Sequence, residues 1–105
     1  MLRLVARHDS RVRLFTLTQP AASIGAAEDN DFVLPFPGVS RHHARVERVD
    51  HGVLLVDLGS KNGLVVHGQL LAQVLLRPGE EVRLGRICIA LEDIPEQERL
   101  AVRGW

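Results

Sequence analysis

The sequence predicts an all-β sandwich, and two observations support that fold class. Apolar and polar residues alternate in short runs, which is typical of strands with one buried and one exposed face. Turn-forming residues, among them Pro20, His51-Gly52 and Pro78-Gly79, separate these runs at short intervals. Only residues 95–105 break the pattern. We therefore expect many short strands packed in two sheets.

The first two predicted strands form a hairpin that ends at Pro20. Residues 2–6 alternate regularly, whereas the run from Val12 to Leu17 changes phase in its middle, because Val12 and Leu14 are followed by Phe15. A single extra residue in one strand shifts the alternation in this way. We therefore predict a β-bulge near Leu14.

The remaining strands are predicted from runs at 23–25, 31–34, 44–49, 53–58, 64–67 and on both sides of Gly85. Asn-Gly is a strong signal for a two-residue hairpin turn, so Asn62-Gly63 is expected to join the run at 53–58 to the next one. The segment 69–76 is ambiguous. Pro78-Gly79 is predicted to open the last hairpin.

A chain of 105 residues fits one domain that can bury its own core. We assign residues 1–94 to a β-sandwich domain and residues 95–105 to a C-terminal tail. Pro95 suits the first turn of a short helix. A helix of this length is not stable alone, so it would either pack on the sandwich or fray.

Composition narrows the classes of function. The 13 basic and 13 acidic residues cancel, whereas nucleic-acid binders usually carry a basic excess. Nothing resembles a signal peptide or a membrane span, so we expect a cytoplasmic location and no membrane insertion. The single cysteine, Cys88, cannot form an internal disulfide and lies in an apolar run.

Two loop motifs carry the residues of chemical interest. The first offers a hydroxyl and a guanidinium at Ser40 and Arg41, and the second offers an ammonium and a carboxamide at Lys61 and Asn62. Such donors on the loops of a β scaffold suit an anion presented on a peptide, such as a phosphorylated side chain. Each motif alone is also explained by ordinary turn chemistry.

Together the motifs resemble the forkhead-associated (FHA) domain, a phosphothreonine-binding module. The resemblance covers about 23–91 and includes Ile24-Gly25 before the two motifs and a Leu-Gly pair after them. It implies about eleven strands in two sheets, with the loops at 25–30, 38–42 and 59–63 meeting at one end. It also implies phosphorylation-dependent protein–protein interaction in signalling, no cofactor, and a place within a larger protein.

The resemblance assigns a role to each residue of the motifs. Ser40 would donate to the phosphate, and Arg41 would reach the phosphate or a peptide side chain. Lys61 would contact the phosphate, and Asn62 would bind the peptide backbone.

Other residues of the motifs would support the loops. His43 is expected to brace the binding loop, with Gly25 and Gly63 as further structural support. His42 is expected to project away from His43 into solvent, because adjacent side chains of a strand point to opposite faces.

The chain also departs from the family pattern. The usual phosphate-binding arginine after the first glycine is Ala26, the usual threonine after Asn-Gly is Leu64, and the usual asparagine before the next glycine is His67. Glu28 and Asp29 add negative charge near the expected anion site. These changes leave open an alternative, in which the domain docks an unphosphorylated protein partner.

Enzyme classes fit poorly. Ser40, His43 and Asp57 contain the residue types of a hydrolase triad, but the sequence has no Gly-x-Ser-x-Gly elbow. No nucleotide-binding glycine loop and no Cys/His cluster with zinc spacing occurs. We therefore expect neither catalytic residues nor a metal site.

Overall fold

The computed structural model describes residues 1–95, which form eleven strands and contain no helix. The strands are β1 (Leu2–His8), β2 (Arg11–Thr16), β3 (Ala21–Gly25), β4 (Phe32–Val33), β5 (Ala44–Val49), β6 (Gly52–Asp57), β7 (Leu64–Val66), β8 (Gln69–Leu71), β9 (Gln73–Leu76), β10 (Glu81–Leu84) and β11 (Ile87–Asp93). The predicted all-β class and strand number are confirmed. The predicted C-terminal helix lies outside the described residues.

The strands form two sheets that pack face to face. The six-stranded sheet has the order β2-β1-β11-β10-β7-β8, and the five-stranded sheet has the order β4-β3-β5-β6-β9. All neighbours are antiparallel except β3 and β4, which are parallel. No helix in residues 1–95 is long and apolar enough to span a bilayer.

Alternate residues of both sheets point inward and make one core. Fully buried apolar side chains come from nearly every long strand, because each contributes its inward face to the space between the sheets. They include Leu4, Ile24, Val46, Leu55, Leu76, Leu84, Ile89 and Leu91. This core holds the strand ends in place and so fixes where the connecting loops begin and end.

The bulge predicted near Leu14 is absent. β1 and β2 pair without interruption from Arg3 opposite Thr16 to His8 opposite Arg11. Leu14 instead points outward and is 53% exposed, whereas Phe15 packs against the core. The prediction is wrong because it assumed that every apolar residue of this run faces the core.

Asn62-Gly63 does not close a hairpin either. β6 lies in the five-stranded sheet and β7 in the six-stranded sheet, so this loop crosses between sheets. Gly63 has a positive φ of 67°, but Asn62 does not, whereas a type I′ turn needs positive φ at both central residues. The hairpin prediction is wrong, because local turn residues do not specify which sheet the next strand joins. The ambiguous segment 69–76 divides into β8 and β9.

Candidate functional site

Strand register brings three loops to one end of the sandwich. Ile24 of β3 lies opposite Ala44 of β5, which lies opposite Asp57 of β6. The segments 26–31, 34–43 and 58–63 therefore leave the five-stranded sheet at the same end. We call them the apical loops.

Direct hydrogen bonds connect the two motifs. The Lys61 main-chain N–H donates to Ser40 Oγ over 3.0 Å, so the Ser40 hydroxyl acts as an acceptor there and keeps its own proton for another partner. Asn62 Nδ2 donates to the Gly38 carbonyl over 2.8 Å. Its Oδ1 has no hydrogen-bond partner within residues 1–95. The two motifs thus form one surface.

His43 lies beneath this surface and is fully buried. Its Nδ1 accepts the Ser40 main-chain N–H over 3.0 Å. Because a backbone N–H can only donate, the ring proton sits on Nε2, which donates to the Gly63 carbonyl over 2.8 Å. A single imidazole therefore connects the first motif to the second in the bracing position that the resemblance implies.

A second set of hydrogen bonds, which was not predicted from the sequence, holds the 58–63 loop. Asp57 Oδ2 accepts the N–H groups of Gly59 and Ser60, each over 3.1 Å. Ser60 Oγ donates to Asp57 Oδ1 and accepts the Gly63 N–H over 2.8 Å. Aspartate side chains commonly accept N–H groups from the backbone just after them, so Asp57 before Gly59 and Ser60 was a signal present in the sequence.

The 26–31 loop is held by backbone contacts to the neighbouring loop. Ala26 N–H donates to the Ser40 carbonyl over 2.9 Å, and Ala27 N–H donates to the Arg41 carbonyl over 3.1 Å. A β-carbon at Gly25 would collide with that Arg41 carbonyl. Glycine at this position therefore allows the close approach that puts Ala26 beside Ser40.

Buried Asn30 reinforces the same junction. Its Nδ2 donates to the Arg41 carbonyl over 2.7 Å and to the Ala27 carbonyl over 2.8 Å. The main chain of Arg41 is fixed by these bonds, whereas its guanidinium is exposed and has no ion pair within residues 1–95. The Lys61 ammonium is likewise exposed and unpaired in this part of the chain.

His42 points away from buried His43 and is exposed, as expected, but it also has a partner that was not predicted. Its side chain is half exposed, but Nε2 lies 3.0 Å from both carboxylate oxygens of Asp29. The hydrogen bond from His42 lowers the pKa of the Asp29 carboxyl below its usual range. The Asp29 carboxylate therefore has a hydrogen-bond partner of its own within the apical loops.

The other departures from the family pattern lie around Gly63. Leu64 is fully buried in the core, and His67 has a positive φ of 50° in the exposed turn between β7 and β8. Leu70 packs closely over Gly63 and would collide with a β-carbon there. Glycine at 63 thus permits both its positive φ and this contact.

The geometry does not make a hydrolytic triad. Ser40 contacts His43 through its main-chain N–H rather than through its hydroxyl. His43 Nε2 donates to Gly63 and lies 4.0 Å from Asp57 Oδ1, and the ring is closed off from solvent. Across residues 1–95, no three His, Cys, Asp or Glu side chains are grouped to hold a metal ion.

Comparison with known proteins gives consistent results. The family model described as FHA domain matches residues 22–85. Glycogen accumulation regulator GarA of Mycolicibacterium smegmatis is 31% identical over 97 residues, which are 92% of this chain and 61% of GarA. The chain therefore spans less than two thirds of that relative.

Two solved structures are similar over most of the chain. One is an FHA domain studied for phosphothreonine-dependent FHA domain interactions, with 31% identity, a TM-score of 0.75, and coverage of 89% of this chain and 98% of that chain. The other is Mycobacterium tuberculosis EmbR in complex with a low-affinity phosphopeptide, with 28% identity, a TM-score of 0.72, and coverage of 86% of this chain and 24% of EmbR. With a family model that covers more than half of its residues, this chain belongs to the FHA-domain family.

Proposed function

We propose that this chain recognises phosphothreonine in a partner protein and so mediates a phosphorylation-dependent interaction in signalling. FHA domains are interaction modules rather than enzymes, and no contact in residues 1–95 suggests a catalytic role. The proposal extends to a cytoplasmic location, to residues 1–94 as the binding domain, and to a place within a larger protein.

One observation supports the proposal: a free hydroxyl donor and two exposed cations are carried on the connected apical loops. Within residues 1–95, the Ser40 hydroxyl proton and the Lys61 ammonium have no partner, and the Arg41 guanidinium forms no ion pair, although, together with the hydrogen bond from His42, its charge helps to lower the pKa of Asp29. A phosphate group accepts from all three chemical types. Asn62 Oδ1 is free to accept a peptide N–H, which would set the path of the ligand across the loops.

The charges of the apical loops favour phosphate binding that is detectable but weaker than in a domain with the usual arginine. Phosphothreonine carries nearly two negative charges at neutral pH, and Arg41 with Lys61 can offset them. Ala26 supplies no cation where the family usually has arginine. Since one charge-assisted hydrogen bond contributes about 1.5–3 kcal/mol, affinity should be roughly 10- to 100-fold lower than with that arginine.

The test is a titration of the full chain with a degenerate phosphothreonine peptide library and, separately, with its unphosphorylated counterpart. NMR spectroscopy monitors the amide signals of the chain during each titration. Binding should require the phosphate and should shift the amides of all three apical loops together. Ser40→Ala should weaken binding about tenfold, because it removes the hydroxyl donor.

Lys61→Ala should weaken binding about two- to fivefold and reduce its salt dependence, because an exposed cation is screened by ions. Arg48→Ala removes another exposed cation, beside Pro20 at the opposite end of β5, and serves as the matched control. Equal effects of the two substitutions would contradict a local phosphate contact.

Ala26 also supports the second candidate, a phosphate-independent docking surface. If wild type binds no phosphopeptide at millimolar concentration but retains a protein partner through the apical loops, this candidate replaces the first.

A further inference from the structure

β2 is an open edge far longer than the other edges of the sandwich. It pairs with β1 on one side, and no strand within residues 1–95 pairs with its other side. It has six residues, whereas the edge strands β4, β8 and β9 have two to four. Long exposed edges are uncommon, because their free backbone groups can pair with another chain.

The register identifies which backbone groups are free. Leu17 N–H donates to the Leu2 carbonyl, and hydrogen-bonded pairs alternate with non-bonded pairs along an antiparallel ladder. Phe15, Arg13 and Arg11 therefore bond to β1. The N–H and C=O groups of Val12, Leu14 and Thr16 point to the open side, where they can accept another strand.

The side chains of β2 divide the edge into an apolar face and a basic face. Val12 and Leu14 lie on the outer face of the sheet and are 54% and 53% exposed. Arg11 and Arg13 lie on the opposite face. Arg13 donates to the Val33 carbonyl and lies over the Phe36 ring, so its charge is held at the edge between the two sheets.

The charge around this edge is strongly one-sided. Residues 1–17 contain four arginines and one carboxylate, Asp9. Arg3 is paired with Glu92, whereas Arg7, Arg11 and Arg13 have no ion pair in the described part of the chain. An incoming strand therefore meets a surplus of positive charge.

A second copy of the chain is a poor occupant of this site. Two β2 edges would bring their arginines together, and like charges at neighbouring cross-strand positions are destabilising. The other edge strands, β4, β8 and β9, contain no acidic residue. Charge repulsion thus disfavours a second β2 edge, the uncharged edges β4, β8 and β9 offer no complementary carboxylate, and an acidic strand fits best.

We propose that the β2 edge binds an extended acidic segment of a partner protein as an added strand. Apolar side chains of that segment would cover Val12 and Leu14, and its carboxylates would lie opposite Arg11 and Arg13. This mode of recognition uses main-chain hydrogen bonds for affinity and alternate side chains for specificity. It is independent of the phosphothreonine proposal.

The first experiment uses the full ¹⁵N-labelled chain and an unphosphorylated, end-capped peptide of alternating glutamate and valine. We expect shifts and slower hydrogen exchange at the amides of Val12, Leu14 and Thr16, with Ser40 and Lys61 unchanged. A peptide of alternating lysine and valine is the charge control. A peptide with the same glutamates and valines in two blocks is the pattern control.

Variants separate backbone pairing from side-chain contact. Leu14→Pro removes an outward N–H without removing a bond to β1, and should weaken binding at least about tenfold. Leu14→Ala keeps that N–H and should weaken it less than about threefold. Arg11→Glu should weaken binding of the acidic peptide about five- to tenfold and create binding of the lysine peptide. This variant tests the proposal even if Leu14→Pro does not fold.

Three results would overturn the proposal. One is equal binding of the acidic and lysine peptides, and another is shifts that avoid β2. The third is slow exchange of the Val12 and Leu14 amides in the free chain. If the slow exchange depends on protein concentration, a second copy of the chain occupies the β2 edge. If it is independent of concentration, residues 96–105 of the same chain are the occupant.

Discussion

The two sides of the apical end differ in the extent of their buried hydrogen-bond network and in the charges that they expose. On the side of the two motifs, His43, Asp57 and Ser60 form a network in which the imidazole is fully buried and every bond reaches a backbone group or another member. On the side of the 26–31 loop, the side chain of buried Asn30 alone bonds to backbone carbonyls, and Ala26 offers no charge. An exposed pair, His42 and Asp29, makes a further polar contact.

This difference means that one set of residues determines the geometry of the ligand site and another set determines its charge. The buried network fixes where a ligand atom would lie, whereas exposed side chains such as Arg41 and Lys61 decide how strongly an anion is held. Changes to the network should therefore alter stability and geometry together. Changes to the exposed cations should alter affinity alone.

The largest expected effect is the loss of the His43 ring. His43→Ala removes two buried hydrogen bonds and leaves a cavity, which should lower the free energy of unfolding by about 2–4 kcal/mol. Urea denaturation measures this. The NMR signals of Ser40 and Gly63 should also broaden or shift, because both are bonded to the ring.

His42→Ala is the matched control, since it removes the neighbouring imidazole from the surface. It should change stability by less than about 0.5 kcal/mol. Similar losses for the two variants would mean that the buried and exposed sides are not built differently.

The next largest effect is expected from adding a positive charge to the 26–31 loop at Ala26. Ala26→Arg should strengthen phosphothreonine-peptide binding by up to 1.5–3 kcal/mol, the contribution of one charge-assisted hydrogen bond. Isothermal titration calorimetry measures the gain. Ala26→Met adds similar bulk without charge and should leave affinity within about twofold; an equal gain from methionine would point to packing instead.

The smallest effect concerns pH. The pKa of Asp29 is lowered, chiefly by the hydrogen bond from His42, so its contribution to stability is present above the unfolded pKa of about 3.9 and is lost as pH falls through the lower folded pKa. Carbon-detected NMR of the Asp29 carboxyl should give a midpoint below the usual range in wild type and near it in His42→Ala. Identical midpoints would show that the pair does not form in solution.

Much of the fold could be predicted from the sequence because local patterns determine it. The runs at 44–49 and on both sides of Gly85 alternate cleanly, and they became β5, β10 and β11. The class and strand number follow from such runs and from the family resemblance. The family resemblance likewise anticipated that the loops of Ser40 and Lys61 would meet at one end of the sandwich.

Features that depend on long-range pairing could not be predicted. Nothing local to Asn62-Gly63 shows that β7 joins the other sheet, and nothing near Leu14 shows that an apolar residue of β2 is left in solvent. The contact between His42 and Asp29 joins residues of different loops. The phosphate roles of Ser40, Arg41, Lys61 and Asn62 stay predictions until a ligand is tested.

The pairing of β1 with β11 has a consequence for synthesis of the chain. The five-stranded sheet is complete once residue 76 has emerged from the ribosome, whereas β1 lacks its second neighbour until β11 has followed. Contacts so distant in sequence form slowly. β1 precedes the other ten strands of residues 1–95 along the chain but is among the last of them to gain both neighbours, and the nascent β1–β2 hairpin must avoid incorrect strand pairing until then.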